Sequence, residues 1–219
     1  MAKGGSTLAF QLTRAILEAA GHLQPKLRAG VPAEKKINFM QAMTPQLLNP
    51  ALREIERRQL SLVAIKTHGG VRSCSLKALR RGQMIGQAVA RDPRDIALSM
   101  LDAAASGGAW GERKGVTKAT LEDAMIHVRG HIGRFEEWAA HAEILTLDYE
   151  RLAFDTEAAA GEIAGQLGVD VDLAACTAQA KARFTQFNKG VPHRHRQEMA
   201  AEDIERYSLE FAEFIQRWC

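Results

Sequence analysis

The spacing of apolar residues predicts a chain in which helices and strands alternate. Leu8, Leu12 and Ile16 recur at the period of a helix with one buried face, and Gly21 ends that pattern. Short apolar runs bounded by polar turns are typical of buried parallel strands. Three such runs occur: "LSLVAIKTH" (60–68), "MIGQAVAR" (84–91) and "EILTLDYE" (143–150).

Further helices are predicted between and after these strands. "DPRDIALSMLDAAAS" (92–106) begins with an Asp suited to cap a helix and a Pro suited to its first position. "TPQLLNPALREIERRQ" (44–59) is predicted to form helical pieces interrupted at Pro50. The remaining predicted helices are Leu121–Trp138, two near 156–167 and 172–184, and a closing amphipathic helix from Ile204 to Trp218.

Strands that alternate with helices predict an α/β fold whose mainly parallel sheet is covered on both faces. A chain of 219 residues can bury one substantial core, so we expect a single domain over residues 1–219. The net charge of +3 is a mild bias toward anionic ligands and does not argue for nucleic acid as a partner.

The cysteines and the hydropathy pattern bear on location. Cys74, Cys176 and Cys219 are odd in number and lack close pairing, which predicts free thiols in a reducing compartment. The sequence has no apolar run of about 18 residues and no secretory leader pattern. We therefore expect no membrane span and a cytoplasmic location.

The stretch "KGGST" places Lys3, Gly4, Gly5, Ser6 and Thr7 directly before the first predicted helix. Glycines let backbone N–H groups approach an anion, and the first turn of a helix adds unpaired donors and a positive dipole end. Taken alone, the stretch is equally consistent with an anion-binding loop and with a simple turn. It is not the triphosphatase loop G-x-x-x-x-G-K-[ST], which argues against a magnesium-dependent kinase.

Polar residues also follow two of the predicted strands. Lys66 and His68 come at the end of one strand, and Arg91 follows the next, with Ser99 about two helical turns further on. Ligands of open parallel sheets bind at the carboxyl ends of the strands, where Arg91 can grip an anion in fork geometry. The alternative for Lys66 and His68 is a solvated loop with incidental charges. The alternative for Arg91 is a plain helix cap followed by a solvated arginine.

Taken in order, "KGGST", "KTH", "VARDPRDIALS", "LDYERL" and "NKG" resemble the sulfotransferases that use 3′-phosphoadenosine-5′-phosphosulfate (PAPS). The resemblance extends over nearly the whole chain. It implies a P-loop-like three-layer α/β/α fold and transfer of a sulfuryl group from PAPS to a hydroxyl or amine acceptor, leaving 3′,5′-adenosine bisphosphate (PAP). The acceptor is expected to be a small molecule or a glycan, and the oligomeric state stays open.

The resemblance also implies a role for each matching residue. Lys3, Gly4, Gly5, Ser6 and Thr7 match the loop for the 5′-phosphosulfate, and Lys66 and His68 match the catalytic turn. Arg91 and Ser99 match the 3′-phosphate motif, and Lys189 with Gly190 match a later segment that closes over the same phosphate. Tyr149 matches a tyrosine near the adenine, and a core-packed Tyr149 is the equal alternative.

The residue types suit sulfuryl transfer, which needs positioning and fixed positive charge. A neutral His68, with an ordinary pKa of about 6.5, can take the proton of the acceptor, or else only support another group by hydrogen bonding. Lys3 and Lys66 would offset the charge on the departing 5′-phosphate. Cations supply this stabilisation, so we expect no metal. The segment Pro25–Pro45 and the glycine-rich loop around Trp110 are expected to shape acceptor access.

The other histidines carry less weight. His127 and His131 have a spacing that can bind zinc but lack a third ligand, so we interpret them as a polar helix face. "HRHR" (193–196) either extends the phosphate-binding segment or forms a solvated basic loop, and the solvated loop is favoured.

The chain departs from the family pattern at its start, where only Met1 and Ala2 precede Lys3 although members carry a buried strand there. A truncated chain, a substituting segment and impaired nucleotide binding all remain open. Leu8 and Asn188 replace residues that are often aromatic and arginine, respectively. These departures motivate the alternative of a catalytically silent module that binds a nucleotide or a protein.

Overall fold

The computed structural model describes residues 3–28, 38–106, 119–183 and 191–219. The strands are β1 (Phe39–Met40), β2 (Lys66–Thr67), β3 (Gly86–Ala90) and β4 (Ile144–Asp148). The helices in the first half are α1 (Ser6–Ala19), α2 (Pro45–Arg57), α3 (Ser73–Arg80) and α4 (Pro93–Ala105). Those in the second half are α5 (Leu121–Ala139), α6 (Tyr149–Phe154), α7 (Thr156–Leu167), α8 (Leu173–Arg183), α9 (His195–Glu198), α10 (Ala201–Glu210) and α11 (Ala212–Trp218).

The strands form two parallel pairs. β1 pairs with β2, and β3 pairs with β4 in a register that sets Gly86 opposite Ile144 and Ala90 opposite Asp148. Parallel neighbours need a long connection, and here α4 and α5 supply it between β3 and β4. The two pairs are separate sheets within the described residues.

Helices cover both faces of the β3–β4 pair. Val89 and Leu147 point to one face, where they pack with the buried residues of α1, α7 and α8. Ala90 points to the other face, where it packs with α4, α5 and the two C-terminal helices. This alternation along the strands confirms the expected α/β fold with helical layers on both sides of a parallel sheet.

Several predicted boundaries are confirmed. Asp92 caps α4 by accepting a hydrogen bond from the backbone N–H of Arg94, and Pro93 takes the first helical position. Thr120 and Asp123 cap α5 reciprocally. None of the described helices is both long and apolar enough to cross a bilayer.

The predicted break at Pro50 is wrong, because α2 runs through it. Proline removes one hydrogen bond from a helix interior. Burial of Leu48 and Ala51 on either side of Pro50 offsets that loss. Sequence periodicity also missed the short elements β1, α3, α6 and α9.

Two predicted elements are shorter than expected. Of the run 60–68, only Lys66 and Thr67 pair as a strand, because the N–H of Ala64 bonds to the side chain of Gln24 instead. The closing helix is split at Phe211, whose φ of −115° leaves the helical region while its ring stays buried in the core. The glycine-rich loop predicted around Trp110 lies outside the described residues.

Replacement of Gly5 by alanine is expected to lower the free energy of unfolding more than the matched change at Gly21. Both glycines have positive φ, 86° and 83°, so each alanine costs about 1 kcal/mol of backbone strain. A Cβ on Gly5 would also lie 2.7 Å from Cδ2 of Tyr149, whereas one on Gly21 meets nothing within 4 Å. Urea unfolding of Gly5→Ala and Gly21→Ala checks this.

The excess loss at Gly5 should be about 1 to 3 kcal/mol, the usual range for overpacking. Equal losses for the two variants would mean that the ring of Tyr149 does not press on the start of α1.

Candidate active site

The start of α1 has neither a side-chain cap nor an acidic first turn. Gly5 occupies the position before the helix in the left-handed region, with φ of 86°, and it offers no capping side chain. The first turn of α1 also contains no acidic residue. The positive end of the helix dipole therefore has no carboxylate of its own helix beside it.

Arg91 lies directly beside this loop. The register of β3 and β4 sets Ala90 opposite Asp148, so the next residues, Arg91 and Tyr149, emerge side by side. The guanidinium carbon of Arg91 lies 4.0 Å from the centre of the Tyr149 ring, a cation–π contact. Its Nη1 donates to the backbone oxygen of Lys3 at 2.7 Å.

The Nε of Arg91 has no hydrogen-bond partner in the described part of the chain. The residue is only 7% exposed, and this Nε is buried. A buried, unsatisfied donor is costly unless a ligand completes it. Burial lowers the pKa of Arg91 below its usual value.

Lys66, the first residue of β2, connects that strand to the same loop. Its Nζ donates to Oγ1 of Thr7 in the first turn of α1 at 2.5 Å. Two residues later, His68 packs edge-on against Phe39, with ring centres 5.1 Å apart. Lys66, His68 and Ser6 all line one cavity, so the cationic turn and the start of α1 face the same space.

Helix α5 holds the turn that carries His68. Trp138 donates its indole N–H to the carbonyl of Gly69 at 2.9 Å, and Glu137 accepts from the N–H of Val71. A Cβ on Gly69 would lie 2.8 Å from Cα of Ala42. The glycine is required by this close approach of the backbone, which the sequence alone did not reveal.

The C-terminal segment is attached to α4, the helix that follows Arg91. Asp95 accepts two hydrogen bonds from His195, from the backbone N–H and from Nδ1, both at 2.9 Å. Arg194 pairs with Asp102 of α4 and with Glu198. Arg194 and His195 are only 2% and 3% exposed, so the interpretation of "HRHR" as a solvated loop is wrong for these two residues.

The charges of this region act on one another. Burial lowers the pKa of Lys3, with Asp102 opposing and the positive charge of Arg91 adding to the effect. The hydrogen bond to Glu198 raises the pKa of Arg194, which stays charged. Lys3 and Arg91 thus lie within electrostatic range of each other.

The structure brings most of the predicted site residues together. Lys3, Gly5, Thr7, Lys66, Arg91 and Tyr149 form one connected cluster, and His68 lines the adjoining cavity. Gly4 and Ser6 belong to the same loop. Ser99 is buried on α4, and within the described structure no hydrogen bond joins it to Arg91. Lys189 and Gly190 lie outside the described residues.

His131 lines the same cavity and is not part of a simple polar helix face, contrary to the sequence interpretation. Burial lowers its pKa to about 3, and the charge of Arg134 adds to this effect. The guanidinium of Arg134 donates to Nδ1 of His131 at 2.9 Å, which requires a neutral imidazole.

No protein-family profile matches the chain, and no curated protein matches it in sequence. Among solved structures, mouse sulfotransferase SULT7A1 complexed with PAP has a similar fold, with a TM-score of 0.59. The two chains share 16% sequence identity, and the match covers 98% of this chain and 81% of the mouse protein. At this identity the likeness establishes a sulfotransferase-like α/β fold.

Replacement of His131 by glutamine is expected to reduce the acid sensitivity of the fold. In the unfolded chain His131 binds a proton below pH of about 6.5, whereas the folded state resists protonation down to pH of about 3. The unfolded state therefore binds more protons in that window, and acid removes stability from the wild type, on the order of a few kcal/mol.

Chemical unfolding of wild type and His131→Gln at pH 7, 5 and 4 measures this effect. The stability difference between the two should shift toward the variant as the pH falls. His141→Gln, on the segment that follows α5, serves as the matched control. A difference that is constant with pH would show that His131 is not held neutral.

Proposed function

We propose that this chain binds PAPS and transfers its sulfuryl group to a hydroxyl or amine of a small-molecule or glycan acceptor. The single observation that carries the proposal is the position of Arg91. It contacts the loop before α1 and the ring of Tyr149 at once, and its Nε is buried without a partner among the described residues. A phosphate oxygen is the ligand that would satisfy such a donor.

The loop and its neighbours fit the other end of the nucleotide. The start of α1 offers a positive dipole end, and Lys3 and Lys66 add positive charge on two sides of it. We assign the 5′-phosphosulfate to Lys3, Gly4, Gly5, Ser6 and Thr7. We assign the 3′-phosphate to Arg91 and Ser99, with Lys189 and Gly190 closing over it, and the adenine to the neighbourhood of Tyr149.

The reaction then needs one proton acceptor and stabilisation of one leaving group. The oxygen of a hydroxyl or the nitrogen of an amine attacks sulfur in line, a new O–S or N–S bond forms, and the bond from sulfur to the 5′-phosphate oxygen breaks. His68 takes the proton of the acceptor, and PAP leaves with the electron pair of the broken bond. Lys66, held at the start of α1 by Thr7, offsets the charge on the departing phosphate.

A catalytically silent nucleotide-binding module is the second candidate. The observation that favours it is the separation of the described strands into two pairs, since β2 and β3 carry the two halves of the site on different sheets. Such a module would bind PAP without turnover. The second of the two experiments below, which measures turnover, distinguishes the candidates.

Isothermal titration with PAP, without added metal, is expected to show saturable binding that Arg91→Gln weakens at least about tenfold, because a charge-assisted hydrogen bond is lost. Arg129→Gln is the matched control, since that arginine pairs with Glu210 on the surface. Absence of PAP binding by the wild type, or equal affinities for all three proteins, would contradict the assignment of Arg91.

Replacement of His68 by asparagine is expected to lower sulfuryl transfer from PAPS at least about 100-fold while leaving PAP affinity nearly unchanged, since general-base catalysis is lost and binding is not. His22→Asn is the control, because His22 follows the opposite end of α1 and bonds to Ser61. Turnover is measured over a panel of hydroxyl and amine acceptors. PAP binding with no turnover by the wild type would favour the silent module.

A further inference from the structure

The cavity beside His68 is compact and mostly apolar. Its volume of about 260 Å³ lies below the range of roughly 300–1,000 Å³ that is usual for drug-sized ligands. Most of its lining side chains are apolar, among them Phe10, Leu48, Leu52, Ile65 and Phe135. Hydroxyl groups of a sugar would lose water there without enough polar partners. The cavity therefore suits a compact apolar body, such as one aromatic ring with a short chain.

The charges along the wall of this cavity are of one sign. Lys66 and Arg134 both line it, together with the imidazole of His68, and the described residues contribute no carboxylate to its wall. The Nζ of Lys66 bonds to Thr7 at the start of α1, so Lys66 faces the loop that we assign to the phosphosulfate. Arg134, on α5, makes no hydrogen bond to that loop within the described structure.

Arg134 has a neutral partner instead of a carboxylate. Its guanidinium lies back along α5, where it would be 3.4 Å from a Cβ on Gly130, and it donates to Nδ1 of His131. Because burial lowers the pKa of His131 to about 3, the imidazole is uncharged at neutral pH. Among the described residues Arg134 forms no ion pair, so its positive charge is left for a ligand in the cavity.

The turn after β2 sets His68 between Arg134 and the start of α1. Lys66, two residues before His68, bonds to Thr7. Gly70, two residues after it, lies against Arg134, since a Cβ on Gly70 would be 3.3 Å from Cγ of Arg134. Glu137 also approaches Gly70, and its carboxylate accepts the N–H of Val71. A molecule held at His68 thus has one cationic region on each side.

We propose that Arg134 binds a carboxylate of the acceptor, which makes a compact apolar hydroxy acid the preferred acceptor class. The apolar body fills the cavity, the hydroxyl lies at His68, and the carboxylate pairs with the planar guanidinium of Arg134. The position of the hydroxyl rests on the proposed sulfuryl transfer, whereas the carboxylate site does not. A neutral phenol is the weaker acceptor, because it leaves the charge of Arg134 without an anion.

Two probes of the same shape test this inference on the full chain, without nucleotide in the sample. One is para-hydroxyphenylpropionate, and the other is its uncharged amide, para-hydroxyphenylpropionamide. Isothermal titration of the wild type should show the acid binding at least about tenfold more tightly than the amide, because the amide cannot form the charge-assisted pair. Arg134→Gln should lose this preference while its affinity for the amide and its melting temperature stay nearly unchanged.

Arg129→Gln is the matched control on the same helix, since Arg129 pairs with Glu210 at the surface, and it should keep the preference for the acid. Equal affinities of the wild type for acid and amide, or an undiminished preference in Arg134→Gln, would overturn the proposal. PAP binding without a preference for the acid would overturn this inference alone. A preference for the acid without PAP binding would support the carboxylate site and contradict only the assigned cofactor.

Two further readouts separate a ligand contact from a purely structural role of Arg134. In NMR titrations the acid should raise the pKa of His131 and the amide should not, because a nearby carboxylate favours the imidazolium form. With PAPS as donor, Arg134→Gln should raise KM for the acid at least about tenfold with kcat nearly unchanged, since only uniform binding is lost. An unchanged pKa of His131, or a loss confined to kcat, would contradict the contact.

Discussion

The rest of the site depends on the register of one parallel strand pair. Because Ala90 lies opposite Asp148, the residues that follow, Arg91 and Tyr149, meet at the same edge of the sheet. The ring of Tyr149 then packs over Gly5 and under the guanidinium of Arg91. A shift by one residue would turn both side chains to other faces and leave the loop before α1 without its support.

This arrangement brings several charged side chains together at one place in the fold. Arg91 lies within electrostatic range of both Lys3 and Arg194, and the carboxylates of Asp92, Asp95, Asp102 and Glu198 belong to the same region. The buried Nε of Arg91 and the uncapped start of α1 both call for acceptor oxygens. The proposed nucleotide, which carries phosphate at both its 3′ and 5′ positions, would supply such oxygens to both places.

Much of the site was accessible from the sequence because its residues follow strands or open helices. Strand ends and caps are local signals, and Asp92 with Pro93 marked the start of α4 without any tertiary information. The contact of Arg91 with Tyr149 was not accessible, since it depends on the pairing of two distant strands. The burial of His195 was missed for the same reason, because its partner Asp95 is 100 positions away.

The structure also shows where local propensity yields to packing. Pro50 stays inside α2, where Leu48 and Ala51 beside it are buried, and Phe211 divides the closing helix while its side chain stays in the core. The apolar run 60–68 has strand composition, yet Ala64 bonds to Gln24 and pairing is confined to Lys66 and Thr67. Composition predicts a strand, but a strand forms only where a neighbouring backbone is present.

The measurement that tests the central claim most directly is hydrogen exchange of the loop Lys3–Thr7 and of the segment Arg91–Ser99 with and without PAP. The account predicts that saturating PAP slows exchange in both segments together, since one ligand bridges the start of α1 and the end of β3. Protection confined to other parts of the chain, or no protection at all, would contradict the claim that these two segments form one nucleotide site.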